Sequence, residues 1–68
     1  MPGTYKKIEL VGTSPVGFSE AVKTAIEEAS QTVREMSWFE VVEQRGMIKD
    51  DKVAEFQVVI KVGFKVDH

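Results

Sequence analysis

The stretch that decides the fold runs from residue 38 to residue 66 and reads WFEVVEQRGMIKDDKVAEFQVVIKVGFKV. In its second half, every second residue from 56 to 66 is apolar, a period of two that is typical of a strand with one buried face. The sequence KDDK at 49–52 supplies a turn between two β-branched arms. We therefore predict a long antiparallel hairpin whose core row is Phe56, Val58, Ile60, Val62, Phe64 and Val66.

The turn also predicts the register of the hairpin, if Asp50 and Asp51 are its two central residues. The expected cross-strand pairs are Trp38 with Gly63, Val42 with Val59, and Gln44 with Gln57. Because paired residues share a face, Trp38 and Gln57 are expected on the face opposite the core row, with the Gln57 amide two pairs along from the indole. An indole across from a glycine, with an amide nearby, forms a shallow platform suited to a flat ligand.

The first half of the chain predicts one strand and one helix. Residues Tyr5 to Gly12 alternate as a strand, and Gly12-Thr13-Ser14-Pro15 ends it. Ser14 or Ser19 is the expected helix cap. The predicted helix extends from Phe18 to Met36, with its apolar stripe formed by Phe18, Val22, Ala25, Ile26, Ala29, Val33 and Met36. The order strand, helix, strand, strand predicts an α+β fold, β-α-β-β, in which a three-stranded antiparallel sheet packs on one helix as a single domain over residues 1–68.

The small size of the chain predicts self-association. A domain of 68 residues is near the lower limit for independent stability. Cysteine is absent, so neither disulfides nor thiolate metal sites can supply the missing stability. One helix covers one face of the sheet, and the other face retains apolar residues that mark an interaction surface. These residues are Trp38, Val42, Ile48, Val59 and Val11.

Composition argues against several classes of function. The formal net charge of -2 disfavours nucleic acid as the main partner. No apolar run is long enough to cross a membrane, and the N-terminal residues lack the core of a signal peptide, so we expect a soluble cytoplasmic protein.

The sequence contains no evident catalytic triad, nucleophilic cysteine, phosphate-binding glycine loop or cluster of metal ligands, so no catalytic or metal residue is predicted. The only histidine, His68, is expected to be a frayed terminal residue.

The chain also resembles a known family, the dodecins, over residues 7–66. The motifs that carry the resemblance are Gly12-Thr13-Ser14, Ser19-Glu20-Ala21-Val22, Trp38-Phe39-Glu40-Val41, Arg45-Gly46, Phe56-Gln57-Val58 and Lys61-Val62-Gly63-Phe64. The resemblance implies a β-α-β-β subunit that assembles into a hollow dodecamer. It further implies that flavins, FMN or riboflavin, bind in pairs between subunits, each stacked on a tryptophan, and are stored rather than used in turnover. Coenzyme A remains open as a second ligand.

The resemblance also implies roles for four residues. Trp38 would stack on the isoalloxazine, and Gln57 would hydrogen-bond its pyrimidine edge. Arg45 would contact the phosphate of FMN, and Lys65 stands where relatives often have arginine. In a regular ladder Arg45 would lie on the face away from Trp38, so its contact requires a bulge or a partner subunit, and we expect the partner subunit. An ion pair between subunits is an equally weighted role for Arg45.

Two positions depart from the family pattern. Met47 stands where relatives commonly have histidine, and Asp51 where they have glycine. Aspartate can adopt the left-handed turn conformation at some cost.

The expected function is flavin binding and sequestration without catalysis. The alternatives are a structural shell or protein-interaction module that binds no flavin, and an oxidoreductase that uses the flavin.

Overall fold

The computed structural model describes residues 3–66; the expectation for His68 lies outside them. The elements are β1 (Tyr5–Ser14), α1 (Phe18–Ala29), β2 (Met36–Lys49) and β3 (Lys52–Lys65). Both strand pairs are antiparallel, and the order across the sheet is β1-β3-β2. The predicted β-α-β-β fold is confirmed, with β3 as the central strand. Within the described residues, no helix has the length and hydropathy needed to cross a bilayer.

The turn of the hairpin forms where the sequence predicts it. Lys49 pairs with Lys52, and Asp50 and Asp51 have φ angles of 53° and 65°. Two consecutive left-handed residues are what a two-residue type I′ turn requires, and aspartate tolerates this conformation better than most residues. The two fourteen-residue strands make the subunit 53 Å long, so the hairpin extends well beyond the twelve-residue helix.

The register of the hairpin is only partly as predicted. Trp38 does pair with Gly63, but a bulge between Val41 and Glu43 shifts the next part of β2 by one residue. In the shifted part, Glu43 pairs with Val59, and Arg45 pairs with Gln57. The predicted pairs of Val42 with Val59 and of Gln44 with Gln57 are therefore wrong. The bulge leaves Val42 without a partner of its own, so the side chains from Glu43 to Met47 change face relative to the prediction, and a second shift restores the predicted pairing of Ile48 with Val53.

The helix is shorter than predicted, and neither predicted serine caps it. It ends at Ala29, where the backbone tightens through bonds from Gln31 N to Glu28 O and from Thr32 N to Ala29 O. The chain then passes through Glu35, with φ of 62°, and enters β2. Gly17 occupies the N-cap position without a side-chain bond. The buried Ser14 hydroxyl instead accepts a hydrogen bond from Val16 N at 2.9 Å.

The core lies between α1 and the two strands β1 and β3. On the sheet side, the core row of β3 is fully buried at Val58, Ile60 and Val62. On the helix side the small residues Ala21 and Ala25 complete the cluster. Because the helix is centred away from β2, the helix-side residues of that strand are about half exposed, Phe39 at 49% and Val41 at 46%.

Candidate functional site

The indole of Trp38 lies on the face of the sheet opposite the helix. It pairs with Gly63, and a Cβ atom at Gly63 would overlap three ring atoms of the indole. Glycine is therefore required for the ring to lie this close to the backbone of β3. The Trp38 side chain remains 41% exposed, which leaves aromatic surface available to a ligand.

One aromatic residue contacts the indole and was not predicted, and Lys65 lies nearby on the same face. The rings of Tyr5 and Trp38 have their centroids 5.2 Å apart with an interplanar angle of 53°, a tilted contact that restrains both rings. Tyr5 pairs with Lys65, which lies two residues beyond Gly63 on the same face of β3. The sequence pattern places Tyr5 only at the start of β1, because a single sequence does not reveal that β1 pairs with β3.

The Gln57 amide lies in a polar cluster elsewhere on the same face. Arg45 Nε donates a hydrogen bond to Gln57 Oε1 at 2.8 Å, and Gln57 Nε2 donates to Glu55 Oε1 at 2.9 Å. The guanidinium also lies near Glu43, with Arg45 Nη1 3.7 Å from Glu43 Oε1. The expectation that Arg45 would lie on the opposite face from Trp38 is wrong, because the bulge turns it onto this face within its own subunit.

Trp38 and Gln57 of one subunit are too far apart to contact one small ring system. Gly63, the partner of Trp38, is six residues from Gln57 along β3, about 20 Å of strand. The expectation that the amide would lie only two pairs from the indole is therefore wrong. The outer face carries two separate half-sites: the aromatic half-site of Trp38, Tyr5 and Lys65, and the polar half-site of Gln57, Arg45 and Glu55.

An ion pair crosses the sheet beside the aromatic half-site. Lys7 in β1 pairs with Gly63, and Glu40 in β2 pairs with Lys61. The Lys7 ammonium nevertheless contacts the Glu40 carboxylate directly. This hydrogen bond, together with the charge of the ammonium, lowers the pKa of Glu40 below its usual 4.5. The sequence did not predict this pair, because the two residues belong to strands that are not neighbours in the sheet.

A second apolar surface lies on the helix side of the sheet. An open groove of about 430 Å³ separates α1 from β2, and its walls include Val22, Ile26, Met36, Phe39 and Val62. The sequence pattern predicted apolar residues exposed on the outer face only. This second surface is exposed because α1 covers β1 and β3 but not β2.

Residues 3–66 contain no group of three or more histidine, cysteine, aspartate or glutamate side chains that could hold a metal ion. Glu55 of the polar half-site contacts Gln57, and the neighbouring Glu43 lies near Arg45.

Comparison with known proteins identifies the family. The sequence profile of the Dodecin family matches residues 4–67. The dodecin of Thermus thermophilus is 48% identical over 67 residues, covering 98% of this chain and 97% of the relative. The dodecin structure from Streptomyces davaonensis is 46% identical and superposes with a TM-score of 0.95 over the full length of both chains.

A more distant relative is named for a metal ion. The calcium dodecin of Mycobacterium tuberculosis has a solved structure described as containing a calcium-binding site. That structure is 28% identical to this chain, with a TM-score of 0.82, and the match covers 94% of this chain and 91% of that one.

The family profile and these relatives span nearly the whole of residues 1–68 and share its fold. The chain belongs to the dodecin family.

Proposed function

We propose that this protein binds flavin, riboflavin or FMN, non-covalently between copies of the chain and stores it rather than using it in catalysis. The observation that carries the proposal is the exposed indole of Trp38, which lies over Gly63 on the outer face of the sheet. A flat ligand stacked on this ring buries a large apolar area and gains about 1 kcal/mol from the aromatic contact itself. Membership of the dodecin family supports the same ligand class.

The separation of the two half-sites supports binding between copies. Stacking requires Trp38, and hydrogen bonding to the pyrimidine edge requires Gln57, but one subunit holds these about 20 Å apart along the strand. A ring system that contacts both must therefore take the indole from one copy and the amide from another. Dodecins assemble as oligomers, and we propose a closed shell of twelve subunits in which two-fold axes bring such half-sites together.

The uncovered apolar surfaces support the same assembly. Phe39 and Val41 are about half exposed on the helix side, and Val11 is 53% exposed on the outer face. So much exposed apolar surface on so small a chain is typical of subunit interfaces. A 68-residue chain also gains from association the stability that its small core cannot provide.

The proposed mechanism is sequestration. Stacking on Trp38 excludes water and oxidants from one face of the flavin. Electron transfer from the indole to the excited flavin, followed by its return, quenches fluorescence and limits photochemistry. Arg45 and Lys65 are proposed as phosphate contacts when the ligand is FMN; lysine offers a point charge where arginine would offer a two-pronged contact.

The experiment that tests this function is a fluorescence titration of riboflavin and FMN with the purified protein, together with the native mass of the assembly. Quenching that saturates at a fixed ratio of flavin to chain supports the proposal. An assembly that leaves flavin fluorescence unchanged supports a structural shell instead. Turnover of a reduced nicotinamide by the flavin-loaded protein would favour the oxidoreductase.

A further inference from the structure

The orientation of the Gln57 amide is determined by the chemistry of its two neighbours. Arg45 donates to Oε1 at 2.8 Å, and Nε2 donates to Glu55 at 2.9 Å. A guanidinium has only donors, and a carboxylate has only acceptors. Rotating the amide by half a turn would place N–H against N–H on one side and oxygen against oxygen on the other. Only one of the two orientations is compatible with both neighbours.

We propose that Glu55 is a positioning residue that, together with Arg45, holds Gln57 in one orientation for ligand binding. This inference rests on the proposed flavin function. With one bond made at each end, the amide retains one N–H and one oxygen lone pair. The flavin pyrimidine ring offers an N–H between two carbonyl groups, so a donor and an acceptor held side by side match two adjacent groups on its edge. An amide already fixed loses no rotational freedom when it binds.

The same face provides a matched control for Glu55. Glu43 is also a glutamate on this face, next to the polar half-site but not bonded to Gln57, and its carboxylate lies 3.7 Å from Arg45 Nη1. Its cross-strand partner is Val59 rather than Gln57. Replacing either glutamate by glutamine removes one negative charge from this face of the sheet, but only Glu55→Gln replaces the acceptor of Gln57 Nε2.

The first test compares riboflavin affinity in the assembled protein by fluorescence quenching. Glu55→Gln is expected to weaken riboflavin binding about three- to tenfold, because the replacement amide can either accept or donate and no longer fixes the orientation of Gln57. Glu43→Gln is expected to change the affinity by less than about twofold. Equal effects of the two substitutions would overturn the role of Glu55, since the loss would then reflect charge alone.

The second test shows whether Glu55 acts through Gln57. In a Gln57→Ala background, Glu55→Gln is expected to have no further effect on riboflavin affinity, a clear departure from additivity. A general structural role for Glu55 would give the same loss in both backgrounds and would overturn the inference while leaving the flavin function intact. If the unaltered protein does not bind riboflavin, the proposed function and this inference both fail.

Discussion

Arg45 lies directly opposite Gln57 in the hairpin, with Arg45 Nε 2.8 Å from Gln57 Oε1. This contact exists because Val42 is the extra residue of a bulge, which moves the following side chains of β2 to the other face of the sheet. Without the bulge, Gln44 would take the place of Arg45. The polar half-site thus depends on one of the register shifts between β2 and β3.

The position of Arg45 predicts a different substitution phenotype from that of Lys65. Arg45→Ala removes a bond to the Gln57 amide, so it is expected to weaken both riboflavin and FMN, by about threefold or more. Lys65→Ala removes the cation of the aromatic half-site and is expected to weaken the binding of FMN alone. Titrations of each variant with the two flavins measure this difference.

Salt provides a check on the role of Lys65. A contact with the phosphate of FMN is electrostatic and is screened as ionic strength rises. The difference in FMN affinity between the unaltered protein and Lys65→Ala should therefore shrink at high salt. If raising the salt concentration lowered the affinity for riboflavin as much as the affinity for FMN, a contact between Lys65 and the phosphate would be contradicted.

Gly63→Ala is expected to abolish most flavin binding while leaving the chain folded. The added Cβ overlaps the indole of Trp38, and because this ring is partly exposed it can move away at a cost of about 1–3 kcal/mol. The displaced ring no longer presents the same surface to a ligand. Fluorescence titration measures the loss of binding, and the native mass shows whether the assembly persists. Full binding by Gly63→Ala would show that the position of the indole over the strand is not required.

Gly12→Ala is expected to show the opposite pattern, a loss of stability. The added Cβ would overlap the backbone carbonyl of Ala21 and lie 2.9 Å from Ala25 Cβ, and neither atom belongs to a flexible side chain. Separating the helix from β1 is expected to cost about 3 kcal/mol or more. Thermal unfolding at a fixed protein concentration measures the effect, and Gly63→Ala serves as the comparison. A smaller loss of stability in Gly12→Ala than in Gly63→Ala would contradict this packing.

The ion pair between Lys7 and Glu40 predicts a pH-dependent contribution to stability. The hydrogen bond and charge of Lys7 lower the pKa of Glu40 in the folded state. The pair therefore stabilises the fold above the ordinary glutamate pKa, and this contribution disappears as pH falls through the lowered value. Lys7→Met should be less stable than the unaltered protein at neutral pH, and the difference should disappear as the pH falls through the lowered pKa of Glu40.

Unfolding measured as a function of pH tests this sign. Glu40→Gln lacks the titrating carboxyl group and should show the same reduced pH dependence as Lys7→Met. A stability difference that instead grows as the solution becomes acidic would contradict the assignment, because it would require a raised pKa for the carboxyl group of Glu40.

The fold was largely predictable because its signals are local. Alternation over β3 identified the core row, and the two aspartates at 50 and 51 identified the turn. The end of the helix was not predictable from spacing, since Val33 and Met36 continue the apolar stripe although the helix stops at Ala29. Ser30, Thr32 and Val33 are weaker helix formers than alanine and glutamate, which dominate the residues just before them, and this favours ending the helix here.

The site was only partly predictable because its contacts depend on register and strand order. The pairing of Trp38 with Gly63 follows from the turn, but the bulge at Val42 carries no glycine or proline signal. Two consecutive valines suit either face of a strand. The contact between Tyr5 and Trp38 requires β3 to lie between their strands, which the sequence pattern does not specify.

The measurement that tests the central claim most directly is the titration of riboflavin with Trp38→Ala, alongside its native mass. We expect this variant to form the same assembly as the unaltered protein and to lose most of its affinity for riboflavin. Any flavin that still binds should fluoresce almost as strongly as free flavin, because the indole that quenches it is gone. An intact assembly of Trp38→Ala that binds and quenches riboflavin as well as the unaltered protein would contradict the claim that flavin stacks on this indole.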